Sequence, residues 1–217
     1  DSESMERLSD KAILKELIRG TGLSVIPGTK AVASAQEAKR AADRIGYPVM
    51  LKACAGGGGR GIRLIRSEDE LDDAYHQATS EAISAFGDGS VYLEKYICPA
   101  RHIELQILAD EHGNAVCLGD RDCSLQRRNQ KLLEETPSPA VSDEQRQKII
   151  ELAVDAVKKI GYVGAGTLEF LLDREGNFWF MEMNIRLQVG HCVTEMLTGF
   201  DLVKWQIRIA AGIPLGV

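Results

Sequence analysis

Lys52 and Arg60 bracket a run of four glycines, Gly56, Gly57, Gly58 and Gly59, and Gly61 follows. Glycine admits backbone conformations closed to other residues, so bare N–H groups can approach an anion while two cations stand beside them. Phosphate is the natural guest. The run follows the apolar Tyr47-Pro48-Val49-Met50-Leu51, which reads as a buried strand, and Arg60 to Arg66 alternates toward a second strand. The pattern predicts a glycine-rich hairpin covering a phosphate-bearing ligand. It is not a P-loop, since no Gly-Lys-Ser/Thr follows, nor a dinucleotide fingerprint, since no helical run follows directly. The alternative is a flexible hairpin tip, which would need neither the lysine nor the strand before it.

Two further groups could do chemistry. Arg121, Arg127, Arg128 and Lys131 crowd the stretch Asp120 to Lys131 after a strand end. Planar guanidinium forks and a lysine point charge suit a polyanion; the alternative is a solvated basic loop. The other group is Glu169 in Thr167-Leu168-Glu169-Phe170, set against Glu182 and Asn184 in Phe180-Met181-Glu182-Met183-Asn184. Carboxylates among apolar neighbours need compensation. Two of them with an amide suit Mg²⁺, which takes few protein ligands and completes its shell with phosphate and water. Here the alternative is a pair of surface glutamates on a half-exposed sheet.

The elements that must position these groups are readable from period and caps. Residues 9–21 form an amphipathic helix capped by Ser9 or Asp10 and ended by Gly20 and Gly22; Ser34 to Ile45 form a second, stopped at Gly46. Helices are also predicted over Ser67 to Ala85, Ser142 to Ile160 and Asp201 to Ala211. Strands are predicted over 91–97, 102–109 and 115–118, and over 167–172 and 178–183 as a hairpin around Asp173-Arg174-Glu175-Gly176-Asn177. Short turns between strands favour an α+β fold with antiparallel sheets.

The 217 residues suffice for one large domain or two small lobes, and 44% hydrophobic with 27% charged residues is ordinary for a globular protein. A net charge of −6 argues against a general nucleic-acid binder, and no apolar run reaches the ~18 residues of a membrane span. The polar, acidic N-terminus shows no signal peptide. The five cysteines, Cys54, Cys98, Cys117, Cys123 and Cys192, form no Cys-x-x-Cys pair. That suggests neither a zinc site nor a disulfide framework, but reduced thiols in a cytoplasmic compartment, or the mitochondrion for a eukaryotic homologue.

Taken in order, Lys11, Lys52 with its glycines, Glu94-Lys95-Tyr96, Gln126 to Lys131, Glu169, Glu182 and Asn184 resemble the ATP-grasp fold, and within it the biotin carboxylases. The resemblance runs through 52–63, 94–109, 119–139, 164–172 and 181–212. Arg121-Asp122-Cys123-Ser124-Leu125-Gln126-Arg127-Arg128 and Val193-Thr194-Glu195-Met196 are its most specific stretches. It implies two lobes with mainly antiparallel sheets and flanking helices: 1–25 and 111–217 in the larger lobe, 26–110 in the lid lobe with its glycine-rich hairpin. By the same resemblance Lys11 and Lys52 hold ATP phosphates under Gly57, Gly58, Gly59 and Gly61. Glu94, Lys95 and Ile97 form the adenine hinge, and His102, Gln126 and Leu171 line the nucleotide site. Lys131 stands near the transferred phosphate, Arg186, Gln188 and the Val189 backbone hold bicarbonate, and Glu169, Glu182 and Asn184 hold Mg²⁺, with Mn²⁺ as a substitute. In the family, ATP phosphorylates bicarbonate and the product carboxylates biotin on a carboxyl carrier domain. A carboxyltransferase then passes the group on, in acetyl-CoA carboxylase for fatty acid biosynthesis or in a related enzyme. Neither nucleic acid nor membrane is expected as a partner, and an oligomer is allowed.

The departures shape the expectation as much as the matches. Gly190 stands where the family has the glutamate proposed to deprotonate bicarbonate, and glycine accepts no proton. Asn129, Ile185, Cys192 and Trp205 also depart from the family pattern. The chain resembles a central portion lacking an N-terminal domain and a C-terminal region that carries a biotin-contacting arginine. Impaired carboxylation is therefore expected. The alternatives are a binding module on this scaffold with catalysis lost, or another ATP-grasp ligase acting on a different carboxylate.

Overall fold

The computed structural model describes Leu8 and residues 11–55, 61–127 and 130–216. Ser9, Asp10, Gly57, Gly58, Gly59, Arg60, Arg128 and Asn129 lie outside the described residues, so the glycine run expected to cradle phosphate and the Ser9 or Asp10 cap are not described. The chain divides into two compact units.

The first unit holds the described residues up to Val25, Pro99–Arg127 and those from Lys131 on. It contains helix α1 (Lys11–Arg19) and strands β4 (Ala100–Ala109), β5 (Ala115–Arg127), β6 (Gln130–Glu135), β7 (Gly164–Asp173) and β8 (Phe178–Asn184). Helix α4 (Asp143–Ile160) lies between β6 and β7, and α5 (His191–Thr198) and α6 (Leu202–Ala210) follow β8. The sheet is antiparallel in its β5–β4, β4–β7 and β7–β8 pairings, in the order β6-β5-β4-β7-β8. Alternation decides its faces. Leu105, Ile107, Leu168, Phe170, Phe180 and Met183 pack against Leu14 and Ile18 of α1 and Ile149, Ala153, Ala156 and Val157 of α4. The other face buries Leu108 and Ala165 under Leu202 and Ile209 of α6, and elsewhere it is polar. Helix α4 opens on a capping box, in which Ser142 Oγ accepts Gln145 N–H and the Gln145 side chain returns to Ser142 N–H. It ends at Gly161 in the left-handed region, φ 69°.

The second unit holds Ile26–Cys98. Its sheet, β2-β1-β3, is antiparallel and built from β1 (Val49–Ala53), β2 (Ile62–Ile65) and β3 (Val91–Lys95). Helices α2 (Ala35–Ile45) and α3 (Leu71–Phe86) cover it, with Ala38, Ala41, Ala42, Leu71 and Ala78 against Val49, Leu51 and Leu93. Gly28 bridges to Glu94 so closely that a Cβ there would lie 2.6 Å from the Leu93 carbonyl oxygen. Only glycine fits.

Three expectations are corrected. The boundary between the units falls at Cys98/Pro99 instead of near 110, because β4 pairs with β5 and β7. The stretch after Leu118 is not a basic loop: β5 continues to Arg127 and β6 begins at Gln130. Helix α5, absent from the sequence reading, is a short element whose first turn holds no acidic residue to announce it. The remaining helices and strands lie within a few residues of their predicted ranges. Among the described residues no helix is long and apolar enough to cross a membrane.

Asp110 ties the C-terminal segment to the β4–β5 turn. Its Oδ1 accepts N–H from His112 and Asn114, both at 2.9 Å, and its Oδ2 accepts Asn114 Nδ2 at 2.9 Å and Leu215 N–H at 2.8 Å. Burial would push this carboxyl up, but the hydrogen bonds outweigh it and hold the pKa at about 2. A folded value below the unfolded one, about 3.9, means stability that is present above about pH 4 and lost as pH falls through about 2. Asp110→Asn is expected to cost about 1.5–3 kcal/mol at neutral pH and to speed amide exchange at Leu215. The difference between the two proteins in denaturant midpoint should shrink on acidification; a pH-independent difference would contradict the charge-assisted account.

Candidate functional site

One row of ionisable residues crosses the larger sheet. Arg121 on β5 stands opposite Glu104 on β4, Glu104 opposite Glu169 on β7, and Glu169 opposite Glu182 on β8. Directly opposed residues in antiparallel strands share a face, with Cβ atoms about 5 Å apart. The adjoining rows place His102 opposite Leu171, and Gln106, Thr167 and Asn184 in line. This is the polar face of the sheet.

Three carboxylates on a largely buried surface need compensation. Arg121, fully buried, supplies part of it: Nη2 donates to Glu104 Oε2 at 2.9 Å and Nη1 to Gln106 Oε1 at 2.8 Å and Thr194 Oγ1 at 2.9 Å. Lys131 from β6 supplies the rest, pairing with Glu104 Oε1 and, at 3.1 Å, with Glu169 Oε1. Glu169 is the hub. Its Oε1 also accepts Asn184 Nδ2 and Gln188 Nε2, each at 2.8 Å. Its Oε2 meets His102 Nε2 at 2.9 Å, while Gln126 Nε2 lies 2.8 Å from His102 Nδ1. A donating Gln126 amide leaves Nε2 as the protonated ring nitrogen, which then donates to Glu169. Burial would raise the Glu169 carboxyl, but the His102 hydrogen bond, the Lys131 charge and the Gln188 amide hold it at about 2. Glu169 is therefore a fixed anion across the physiological range.

The structure thus joins His102, Gln126, Lys131, Glu169, Asn184 and Gln188 in one hydrogen-bonded group, with Glu182 and Leu171 on the same face. Arg186 and Val189 are exposed; Arg186 Nη1 donates to the Leu187 carbonyl at 3.3 Å. Among the basic residues expected to meet a polyanion, Arg121 is corrected: it is committed inside the sheet. Sequence reasoning missed Glu104, Gln106 and Thr194. The signal for the first two was present in His102-Ile103-Glu104-Leu105-Gln106-Ile107, where every second residue is polar.

The donor chemistry fits a hard cation: Glu169 and Glu182 face each other across β7 and β8 with the Asn184 amide beside them, an oxygen set. The ligand atoms of His102, Glu104 and Glu169 also lie within 4.8 Å of one another, but Glu104 is already neutralised by Arg121 and Lys131. Glu104, Cys123 and Glu134 cluster likewise. Burial pushes the Cys123 thiol far up, and Arg121 contacts both carboxylates, so this second cluster is ion-paired rather than metal-ready.

In the second unit Lys52 Nζ pairs with the buried Glu94 Oε2 at 2.6 Å. Lys95 donates its backbone N–H to Pro27 and its ammonium to the Gly46 and Tyr47 carbonyls, and Ile97 is half-buried beyond β3. Gly61 adopts φ 66°, and its N–H points to Glu81 Oε1 at 3.4 Å. Lys11 begins α1; its side chain lies outside what the structure describes.

A family profile described as "Carbamoyl-phosphate synthase L chain, ATP binding domain" matches residues 10–217. The chain is 55% identical over 209 residues to the 2-oxoglutarate carboxylase small subunit of Hydrogenobacter thermophilus, covering 96% of this chain and 44% of that one. It is 56% identical over 211 residues to a biotin carboxylase of Nostoc sp., covering 97% and 47%. Among solved structures, a Campylobacter jejuni biotin carboxylase–β-γ-ATP complex superposes with a TM-score of 0.96 at 50% identity, covering 99% of this chain and 48% of that one. The biotin carboxylase domain dimer of the H. thermophilus enzyme, in complex with MgADP, ADP and bicarbonate, gives 0.96 at 54% identity, with 99% and 48% covered. The chain spans about half the length of these relatives.

Proposed function

The chain belongs to the biotin carboxylases, within the carbamoyl-phosphate synthase L chain ATP-binding-domain family and with their ATP-grasp fold, and we propose that it serves ATP-dependent phosphorylation of bicarbonate for the carboxylation of biotin. The observation that carries this reading is the Glu169 hub, which gathers His102, Lys131, Asn184 and Gln188 on one sheet face. A phosphoryl transfer between two anions needs fixed positive charge and preorganised donors more than it needs covalent chemistry. Lys131 is such a charge, held in place by two carboxylates. The Gln188 amide, fixed by Glu169, is oriented toward its partner before any substrate arrives. Mg²⁺ on Glu169, Glu182 and the Asn184 oxygen would offset phosphate charge when bound. Lys52, Lys11 and the glycine run are proposed for the phosphates, Glu94, Lys95 and Ile97 for adenine, and Arg186, Gln188 and Val189 for bicarbonate. A biotin carboxyl carrier and a carboxyltransferase are the proposed partners, in a compartment that keeps Cys54, Cys98, Cys117, Cys123 and Cys192 reduced.

Calorimetric titration of ATP with and without Mg²⁺, alongside bicarbonate-dependent ADP release with free biotin, tests the reading. Tight MgATP binding with no ADP release would favour a binding module instead, the reading to which Gly190 points. Within the same titration, Lys52→Ala is expected to weaken ATP by roughly 10–100-fold, the worth of one charge-assisted contact, and adenosine far less. Equal weakening of both would mean that Lys52 serves Glu94 and not phosphate.

A further inference from the structure

Gly190 precedes α5 with φ −70° and ψ 0°, a backbone any residue adopts. Nothing in that conformation requires glycine, and what a side chain at this position would meet is another side chain, Glu134. A Cβ on residue 190 would coincide with Oε2 of Glu134, and the Glu134 carboxylate carbon and second oxygen are also within contact. The carboxylate of Glu134, from the end of β6, therefore occupies the volume through which a side chain at 190 would leave the backbone.

The surroundings of that carboxylate leave one of its oxygens unbonded. Glu134 Oε2 is buried and, among the described residues, receives no hydrogen bond; its ionic neighbour is Arg121 Nε at 3.4 Å. An oxygen with open lone pairs can accept a hydrogen from a neighbouring O–H group. The α5 N-terminus, whose first turn has no acidic side chain of its own, adds favourable partial charge for an anion. Gln188 and Val189 immediately precede Gly190 in the chain.

We propose that Glu134 is a catalytic residue of this chain, the base that takes the proton of bicarbonate from the place left open by Gly190. The inference rests on the bicarbonate reading above. In the step, the bicarbonate O–H bond breaks and its proton goes to Glu134 Oε2. The freed oxygen bonds to the γ-phosphorus of ATP, and the bond from that phosphorus to the β,γ-bridging oxygen breaks with its electron pair leaving on ADP.

The test uses the whole natural protein and reads two quantities, the MgATP dissociation constant and the rate of bicarbonate-dependent ADP release. Glu134→Ala is expected to lower the rate by ~10²–10⁴-fold, the usual worth of general acid–base catalysis, with the dissociation constant within about twofold. Gly190→Ala, which puts a methyl group where the carboxylate lies, should lower the rate likewise. Glu134→Ala combined with Gly190→Glu should recover at least a tenth of the original rate, because the carboxylate returns from the other side of the same space. A residue that merely held Arg121 in place would not be replaced from position 190. Release within threefold of the original in Glu134→Ala overturns the proposal. So does MgATP binding by the unsubstituted protein without bicarbonate-dependent release. Loss of MgATP binding in the unsubstituted protein would instead remove the underlying function reading, and this inference with it.

Discussion

Arg121→Met is expected to destabilise the protein by about 3–5 kcal/mol, the cost of breaking a buried ion pair from one side. The guanidinium and the Glu104 carboxylate are both fully inaccessible to solvent and 2.9 Å apart. Removing the arginine leaves Glu104 inside the sheet with Lys131 alone, and strips Gln106 Oε1 and Thr194 Oγ1 of their donor. Thr194 lies on α5, so the loss should also loosen that helix from the sheet. Urea unfolding should show a lower midpoint with an unchanged slope. The control is Arg121→Met with Glu104→Leu. Replacing both partners by apolar groups removes the uncompensated charge, and most of the lost stability should return. A single variant that costs under 1 kcal/mol would mean that water reaches Glu104.

What the sequence disclosed follows from what is local. Caps and periods gave α2, α4 and α6 nearly to the residue, because Ser34, Ser142 and Asp201 cap within their own first turns. The β7–β8 hairpin was legible from its turn, and with it the pairing of Glu169 and Glu182. The same alternation was visible in β4, but Glu104 and Gln106 had no recognised partner in the sequence and passed as strand residues. Their meaning depends on Arg121, which reads as part of a basic run until β5 is laid beside β4. The extent of β5 was hidden for a similar reason: Asp120, Arg121 and Asp122 look like a turn. In the fold, Asp120 holds Arg146 at 2.6 Å and Asp122 holds Arg101 at 2.8 Å, partners far away in the chain. The meeting of Glu134 with Gly190 left no trace in either local pattern, since it arises from the approach of β6 to the start of α5.

The second large effect is expected at the cation set. Converting Glu169 and Glu182 together to Gln keeps side-chain volume and removes two facing charges, and ATP binding should lose its dependence on Mg²⁺. Altering the groups that merely support metal ligands typically costs about 10–100-fold in metal affinity, and the ligands themselves should cost no less. The two positions do not contribute in the same way. Glu169 also anchors Lys131, His102 and Gln188, so its replacement should disturb the nucleotide and bicarbonate readouts together. Glu182→Gln alone keeps those anchors and should raise the Mg²⁺ concentration needed for half-maximal ATP binding. If Mg²⁺ still strengthens ATP binding to the same degree in the double variant, the cation is held elsewhere. The opposition of Glu169 and Glu182 across β7 and β8 would then serve the sheet alone. Loss of the Mg²⁺ dependence would instead separate two roles a carboxylate can play on the same face: Glu104 neutralised by Arg121 and Lys131, and Glu182 facing Glu169 as a cation ligand.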